Sequence, residues 1–369
     1  MKPKSPLTVI AKTTKDCNLE CRYCLTDEDS DSGNMDLETL ENMLKKVSSQ
    51  NSEFGKTTII WHGGEPLTLG LDFYKEAVKI QKSIKGHHFK NDLQTNGLKL
   101  DEYLDFFVEE KFNLGFSLDG PAHVHNYTRP QKGGLPSFDK TFEMIKEAKK
   151  HKIGGGVIFI LNSVTNNHLE EIYQFFKENQ IHHQVNPQIP SGRAKINTDL
   201  ALSPVEMGKA LVKYFDIWFN DYSKPVIDVD PFSRIIYNLS MDKNKKLKLS
   251  YPYGCNFSND CANTFIGVSP KGNVYPCGRL SGNNDFLMGN VNTDDIKTII
   301  YSSARQKMIE RNKDVVQECK PCDYKTICNS GCPDNAYLFH GDIMRKDGLC
   351  STNKIIFSHI EKAVLNELK

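Results

Sequence analysis

The first 220 residues alternate short apolar runs with longer stretches in which apolar residues recur at helical spacing. The short runs predict six β-strands, at 7–13, 57–62, 92–96, 113–119, 155–161 and 182–187. The stretches between them predict helices at 36–48, 71–84, 101–110, 138–150 and 167–179. Another helix is expected after Ser203, because Ser203 and Glu206 have the spacing of a capping box, with proline at the first helical position. Strands that alternate with helices predict a parallel sheet.

Six such units predict an α/β fold, a partial (β/α)6 barrel similar to a TIM barrel, over residues 1–220. Each predicted strand is followed by a polar or glycine-rich segment, namely 17–24, 63–66, 94–97, 117–120, 163–165 and 190–194. Functional groups of such barrels lie at the carboxyl ends of the strands, which meet on one face. We therefore expect these six segments to lie together.

The remainder of the chain has a different character. Residues 221–254 are interpreted as a bridge, with a helix near 231–242 and a lysine-rich loop at 243–248. Residues 255–350 are rich in turns and cysteines and show little periodicity, so we expect them to build little core and to depend on bound metal. A C-terminal helix is predicted over 351–369.

The charge balance excludes some classes of protein. The 369 residues carry 47 Lys and Arg against 46 Asp and Glu, a net charge of +1, which disfavours nucleic acid or an anionic membrane as the main partner. No apolar run approaches the roughly 18 residues of a membrane helix. The N-terminal apolar stretch is too short for a signal peptide. We expect a soluble cytoplasmic protein.

The eleven cysteines are the most informative residues. Three of them, Cys17, Cys21 and Cys24, form a C-x3-C-x2-C triad. The other eight are late in the chain, at Cys255, Cys261, Cys277, Cys319, Cys322, Cys328, Cys332 and Cys350. Cytosolic thiols stay reduced, so a disulfide scaffold is not expected. Two separate groups of free thiols indicate metal binding.

The triad indicates an open metal site. Four thiolates hold either zinc or an iron–sulfur cluster, and a structural zinc site is closed by four protein ligands. No histidine lies within three residues of the triad to complete a zinc site. Three cysteines on a cubane cluster would leave one iron free for a small molecule. The alternative is a non-catalytic binding module stabilised by zinc.

With the triad placed after the first strand of a barrel, the chain resembles radical S-adenosylmethionine (SAM) enzymes that carry a C-terminal SPASM domain. The late cysteines match the SPASM pattern, with Cys261 and Cys277 spaced around Gly272 and Cys255 as an extra upstream ligand. The resemblance covers nearly the whole chain. It implies a SPASM domain over 255–350.

The resemblance also implies the cofactors. The triad would hold a [4Fe–4S] cluster whose open iron is chelated by SAM, and reductive cleavage would give a 5′-deoxyadenosyl radical that abstracts a C–H hydrogen. Two auxiliary [4Fe–4S] clusters, making three in all, and a reducing donor such as flavodoxin or ferredoxin are implied. The resemblance assigns one auxiliary cluster to Cys255, Cys261, Cys277 and Cys332, and the other to Cys319, Cys322, Cys328 and Cys350.

By the same resemblance, SAM would be contacted by Tyr23, Gly63, Gly64, Glu65, Pro66, Asn96, Ser117, Asp119 and Arg129. Glu65 would accept from the methionine ammonium. Ser117 and Asp119 would contact the ribose and methionine, and Tyr23 would pack near adenine. The alternative for residues 63–66 is an ordinary turn, and for Ser117 and Asp119 it is a helix cap or turn. For Tyr23 the alternative is core packing, and for Arg129 it is a surface ion pair.

Two subgroups of the family are most similar, and both act on a side chain of a polypeptide. Anaerobic sulfatase maturases oxidise Cys or Ser to formylglycine, with an aspartate base directly after the third SPASM cysteine and an aromatic residue after the triad. Here these positions are Gly278 and Leu25. The sequence therefore favours a maturase that forms a carbon–carbon or thioether crosslink in a ribosomal precursor peptide. Formylglycine formation is the alternative.

The catalytic base is not identified by the sequence. Asp228 and Asp230 are weak candidates, and loop or capping carboxylates are the favoured interpretation. Of His182 and His183, at most one can face a cavity, because neighbours on a strand point to opposite faces. Since the triad begins at Cys17, we expect no N-terminal peptide-recognition domain, so a separate partner or the barrel would recognise a leader peptide.

Overall fold

The structure is a computed structural model that describes residues 6–25, 31–240, 257–258 and 260–367. Its strands are β1 (Thr8–Thr14), β2 (Lys56–Gly63), β3 (His88–Thr95), β4 (Asn113–Ser117), β5 (Gly154–Leu161), β6 (His183–Pro187), β7 (Val229–Asp230), β8 (Phe265–Val268), β9 (Asn273–Tyr275) and β10 (Gly289–Asn290). All six strands predicted for the first 220 residues are present.

The helices of the first 240 residues are α1 (Leu37–Gln50), α2 (Leu71–Ser83), α3 (Leu104–Glu109), α4 (Ala122–Thr128), α5 (Phe138–Lys150), α6 (Ser163–Asn166), α7 (Leu169–Glu178), α8 (Pro204–Phe219) and α9 (Phe232–Ser240). The later helices are α10 (Cys261–Thr264), α11 (Ile296–Ile300), α12 (Ser303–Lys313), α13 (Lys325–Cys328), α14 (Pro333–His340) and α15 (Cys350–Glu367). The short helices α4 and α6 were not predicted, because one or two turns carry too little periodicity.

The strands form one sheet in the order β10-β9-β8-β1-β2-β3-β4-β5-β6-β7. Every neighbouring pair from β1 to β7 is parallel. The predicted parallel barrel is thereby confirmed, and within the described residues it stays open, since β7 and β10 lie at opposite ends of the strand order. The carboxyl ends of the strands share one edge, as the sequence predicted.

The bridge contributes to this sheet. Val229 pairs with His183, which makes β7 a seventh parallel strand. The helix expected near 231–242 is present as α9 up to Ser240. The lysine-rich loop and Cys255 lie outside the described residues.

The expectation that the cysteine-rich region builds little core is wrong for residues 265–300. Strand β8 pairs with β1 in parallel, and Ile266 and Val268 are buried in the same hydrophobic core as the barrel strands. Helix α11 adds Ile299 to that core. Four-residue strands are too short to show a period, and their burial depends on the free hydrogen-bonding edge that β1 offers.

The two faces of the sheet differ in exposure. On β2, Thr57, Ile59 and Trp61 are buried, whereas Thr58 and Ile60 on the other face are half-buried. The buried face is covered by helices, as expected for a sheet with helical crossovers. The other face is half-buried, and its polar positions include Gln94, Ser117, Gln184, Asn186 and Asp230. This face is the inner face of the open barrel.

Helix α15 closes the described chain by packing along α8. The Thr352 hydroxyl donates to Pro204 O (2.6 Å), and His359 Nε2 lies 2.6 Å from Asp216 Oδ1. The capping box of α8 is present, with Ser203 and Glu206 bonded reciprocally. In the part of the chain that the structure describes, no helix is long and apolar enough to span a membrane.

Candidate functional site

The loop that carries the cysteine triad lies across the carboxyl ends of the strands. Loops that follow four other elements each hold it by a hydrogen bond. These bonds join Glu65 N to Asp16 O (2.8 Å), Asn96 Nδ2 to Asn18 Oδ1 (2.7 Å), Arg22 N to Thr128 O (2.9 Å) and Arg193 N to Cys24 O (2.9 Å). The position of the triad is therefore fixed by the whole upper rim of the barrel.

The contact with the segment after β6 is the tightest. Gly192 has φ of +55°, and a Cβ there would lie 2.1 Å from Cys24 O. Only glycine permits this approach. The next residue, Arg193, donates from its guanidinium to Cys21 O (3.2 Å), and its charge favours the thiolate of Cys17. The sequence identified this segment as polar but did not single out Arg193.

Burial makes two of the triad thiols, Cys17 and Cys21, poor acids without a bound cation. It raises the pKa of Cys17 to about 11 and that of Cys21 to about 12, although Arg129 opposes the shift at Cys21. Thiolates are the metal-binding form, and metal binding releases the proton. The site therefore fits a cationic metal group, which supplies the charge that burial withholds.

The spacing of the sulfurs disfavours a single ion. Zinc–sulfur bonds of about 2.3 Å in a tetrahedron require sulfurs about 3.8 Å apart. Among the described residues, only one group of three or more His, Cys, Asp or Glu side chains has all its ligand atoms within 4.8 Å of one another. That group contains no cysteine. No three described sulfurs therefore lie within 4.8 Å of one another, which counts against the zinc module.

Four late cysteines surround one cavity. The cavity of about 70 Å³ is lined by the side chains of Cys319, Cys322, Cys328 and Cys350. That volume exceeds the roughly 10–15 Å³ of probe-occupied space that a single water needs. These are the same four cysteines that the resemblance assigns to one auxiliary cluster.

Two described members of the other set, Cys277 and Cys332, are linked by an arginine. Arg279 donates from its backbone towards Cys277 Sγ (3.4 Å), and its guanidinium lies 3.6 Å from Cys332 Sγ. The same guanidinium pairs with Asp334 Oδ2 at 2.5 Å. Cys261 begins α10, and Cys255 lies outside the described residues.

A second arginine lies between the two late sets. Arg311 is 2% exposed and donates to backbone carbonyls of Ser330 (3.0 Å), Gly331 (3.3 Å), Ile343 and Arg345 (3.2 Å). Burial lowers its pKa, while nearby thiols from both sets, Cys332 and Cys319 among them, oppose that shift. Its charge therefore balances the negative charge that thiolates or clusters place there.

Comparisons with known proteins agree with this arrangement. Residues 12–176 match the model of the radical SAM superfamily, and residues 260–323 match that of an iron–sulfur cluster-binding domain called SPASM. The chain belongs to the radical SAM superfamily. The first matched range lies within the barrel that carries the triad, and the second lies within the region of the late cysteines.

The chain is similar over most of its length to anaerobic sulfatase-maturating enzymes. A cysteine-type anaerobic sulfatase-maturating enzyme of Clostridium perfringens is 29% identical over 98% of both chains. A serine-type enzyme of Bacteroides thetaiotaomicron is 28% identical over 90% of this chain and 84% of its own. A solved structure of native anSMEcpe with bound AdoMet and Kp18Cys peptide has a TM-score of 0.84 and 26% identity, over 98% of this chain and 99% of that one.

Asp119 is the centre of a buried network beside the radical SAM triad. Its carboxylate accepts from the hydroxyls of Tyr23 and Thr128 (2.6 Å) and from Ile160 N (3.0 Å). Arg129 lies 3.0 Å away as an ion pair and holds the pKa of Asp119 below its usual value against burial. Because these partners occupy the carboxylate, it orients the triad loop, and its predicted contact with SAM stays a prediction.

Glu65 is tied to the end of β3. Its carboxylate accepts from the hydroxyl of Thr95 (2.7 Å) and the backbone N–H groups of Asn96 (2.8 Å) and Leu67 (3.1 Å). Burial raises the pKa of Glu65 to about 7, against those three donors. The preceding Gly64 donates from its backbone to Thr14 O at 2.8 Å. The segment therefore fastens β2 and β3 to the triad loop.

The other predicted SAM contacts border the same space. Asn96 Nδ2 is 4.0 Å from Cys17 Sγ, and Ser117 accepts from Gln94 Nε2 (3.2 Å) on the inner face. Tyr23 packs in a small cluster with Ala194 and Leu200, consistent with the core-packing alternative. Their roles towards SAM remain predictions.

Two inner-face residues were missed by the sequence analysis. Lys12 of β1 is 4% exposed and stands opposite His62 of β2 in the strand register. Burial and the Lys12 charge lower the pKa of His62 to about 4, so its ring is neutral at physiological pH. His62 Nδ1 accepts from Gly63 N (2.8 Å), which leaves Nε2–H as a donor. Neither residue belongs to a local motif that could have indicated it.

The two candidate bases, Asp228 and Asp230, differ in burial and in hydrogen-bond partners. Asp230 is half-buried on the inner face opposite Gln184, and both its oxygens pair with Arg234. Asp228 is exposed and accepts from the Ser233 hydroxyl, which fits the capping interpretation. Burial raises the pKa of Asp230, with Arg234 opposing.

Neither histidine of the neighbouring pair lines the cavity. His183 is 4% exposed on the helix-covered face, where Tyr214 Oη is 2.7 Å from its Nε2. His182 is exposed and accepts from Asp228 N (2.8 Å) at the start of β6. The prediction that at most one could face the cavity is compatible with this result.

Replacing Gly192 with alanine is expected to displace the triad loop. The new Cβ meets the rigid Cys24 carbonyl, so iron bound at the triad and SAM cleavage should both fall at least about tenfold, as expected for a misplaced ligand loop. Gly55→Ala is the matched control, because Gly55 has φ of +61° but its nearest neighbour to a Cβ is 3.6 Å away. Equal iron content in the two variants, measured after anaerobic reconstitution, would contradict this prediction.

Replacing Arg311 with methionine should destabilise the late-cysteine region selectively. Four buried carbonyls lose their donor, at a cost of about 3 kcal/mol in the free energy of unfolding. Iron at the late cysteines should be lost while iron at the triad is retained. Arg345→Met is the control, because its ion pair with Glu318 is exposed and screened by solvent. The prediction fails if both variants keep the same iron content and melting temperature.

Proposed function

We propose that this radical SAM protein oxidises a cysteine or serine side chain of a peptide or protein to the aldehyde of formylglycine. The observation that carries the proposal is the full-length similarity to cysteine-type and serine-type anaerobic sulfatase-maturating enzymes. The sequence motifs favoured peptide crosslinking instead. The similarity supports the sulfatase-maturase alternative better than that first interpretation.

The cofactors are assigned to the residues that fit them. Cys17, Cys21 and Cys24 would hold the [4Fe–4S] cluster that binds SAM, and the two late sets would hold two auxiliary clusters. Once bound, these groups supply a hydrogen-abstracting radical and a path for one electron. The raised pKa values of Cys17 and Cys21 and the cavity lined by four late cysteines support this assignment. An external reductant, a flavodoxin or ferredoxin, completes the system.

The oxidation requires three losses from the target side chain. One hydrogen atom leaves carbon, one proton leaves the hydroxyl or thiol, and one electron is carried away. A serine then gives the aldehyde directly, whereas a cysteine gives a thioaldehyde that water converts to the aldehyde with release of sulfide. The protein must supply the acceptor of the proton.

Position 278 cannot supply the proton acceptor, because it is a glycine. The position has no side chain, and a Cβ there would be 2.8 Å from Ile10 Cγ2. The space that an aspartate would occupy is therefore filled by β1. We propose Asp230 as the base, because it lies half-buried on the inner face. Burial raises the pKa of its carboxyl group, which makes the carboxylate a better proton acceptor.

The second candidate function is crosslinking of a precursor peptide. Gly278 favours it, because the proton and the electron that are lost when a carbon-centred radical bonds to a neighbouring side chain leave from that second side chain, so their acceptors need not lie at position 278. Both candidates act on a polypeptide in the same inner cavity. The product separates them.

The function is tested with the anaerobically reconstituted, reduced enzyme, SAM and sulfatase-derived peptides. Peptides that differ only in a Cys, Ser or Ala at the target position form a matched set. We expect an aldehyde, detected by mass and by hydrazine capture, from the Cys or Ser peptide together with 5′-deoxyadenosine, and none from the Ala peptide. Cleavage of SAM without any aldehyde would overturn the proposal.

The base is tested by Asp230→Asn. Loss of a general base lowers rate by about 10²–10⁴-fold, so aldehyde formation should fall by about 100-fold or more. Deuterium transfer from the target carbon to 5′-deoxyadenosine should persist, because hydrogen abstraction precedes the step that the base assists. Asp228→Asn is the control, and we expect near-normal turnover. If the two variants react alike, Asp230 is not the base.

A further inference from the structure

Three side chains of metal-ligand type, none of them a cysteine, meet between helices α4 and α7. They are His123 of α4, His168 at the start of α7 and Glu171 in the first turn of α7. His123 Nε2 is 3.4 Å from Glu171 Oε2, and His168 Nδ1 is 3.1 Å from the same oxygen. All three ligand atoms lie within 4.8 Å of one another.

These separations match the requirements of one small ion. Zinc binds imidazole nitrogen and carboxylate oxygen at about 2.0–2.2 Å, which places neighbouring ligand atoms of a tetrahedron about 3.3–3.6 Å apart. Two imidazoles and one carboxylate are also a ligand set that zinc uses in proteins, with water in the fourth position. The two histidine–carboxylate distances lie close to this range before any ion is bound.

The backbone holds the three residues in place. His168 N donates to Thr165 O (3.0 Å), and Ile172 N donates to His168 O (2.8 Å), so His168 and Glu171 lie on one face of α7. Gly120, with φ of +122°, precedes α4, and a Cβ there would be 2.7 Å from Ile172 Cγ1. This close approach brings His123 next to His168, with ring centroids 4.9 Å apart.

A simple ion pair does not require this arrangement. One imidazole is enough to pair with Glu171, and the neighbouring Glu170 is already paired with Lys213 at 3.3 Å. Two imidazoles directed at one carboxylate oxygen would repel each other if both were protonated. A divalent cation satisfies all three groups with both rings neutral. The side chains are 36–56% exposed, so solvent can supply both the ion and a fourth, water ligand.

We propose that His123, His168 and Glu171 bind one divalent transition-metal ion of the zinc class. The ion joins α4 to α7 across the turn that follows β4. At its other end, α4 carries Thr128 and Arg129, whose side chains contact the buried Asp119 beside the triad. The site therefore braces the helix that positions one side of the radical SAM centre, without taking part in the chemistry.

The test uses the holoenzyme with all its clusters loaded, so that the cysteines are occupied. Wild type, His123→Ala, His168→Ala and Glu171→Gln are dialysed to equilibrium against buffered zinc, and bound zinc is measured by mass spectrometry. We expect one equivalent of zinc in the wild type. In each variant the affinity for zinc should be weaker by about 100-fold or more, because loss of a ligand costs more than the roughly 10–100-fold lost with an outer-shell partner.

The matched control is His151→Ala. His151 is also an exposed histidine near a glutamate, 3.7 Å from Glu147, but among the described residues it belongs to no three-ligand group. This variant should bind one zinc as the wild type does. Zinc should also raise the melting temperature of the wild type and the control, but not that of His123→Ala. Absence of zinc from the wild type, or equal binding by all variants, would overturn the proposal.

Discussion

The buried carboxylate of Asp119 is the interaction on which the candidate site depends. It is fully buried and joins the triad loop through Tyr23, helix α4 through Thr128 and Arg129, and strand β5 through Ile160. A buried carboxylate is tolerated only when charge and hydrogen bonds compensate its desolvation. Because these partners come from separate elements, satisfying one charge fixes the relative positions of all of them, and with them the triad.

The same principle operates in the cysteine-rich region. Arg311 is buried between the two late sets of cysteines and donates to four backbone carbonyls. Its charge has a counterpart in thiolates from both sets, so the region is held by electrostatic balance as much as by apolar contacts. Strand β8 then joins this region to β1, so that Cys261 and Cys277, which flank β8 and β9, are attached to the same sheet as the triad loop.

Much of the site could be predicted because its signals are local. The strands, their spacing and the segments that follow them depend on residues close in sequence, and a parallel sheet brings those segments to one edge. Lys12, Arg193 and Asp334 could not be identified in this way. Each gains its position from a partner far along the chain, such as Cys24 for Arg193 and Arg279 for Asp334.

The sequence by itself determined the alternating α/β order, the two groups of cysteines and the resemblance to radical SAM enzymes, since periodicity and spacing are properties of short segments. The tertiary structure decided which residues share a surface. It paired β8 with β1, placed Gly192 against Cys24, and left Asp230 half-buried on the inner face while Asp228 is exposed. Such contacts depend on packing between distant segments, where a difference of one residue in register moves a side chain to the opposite face.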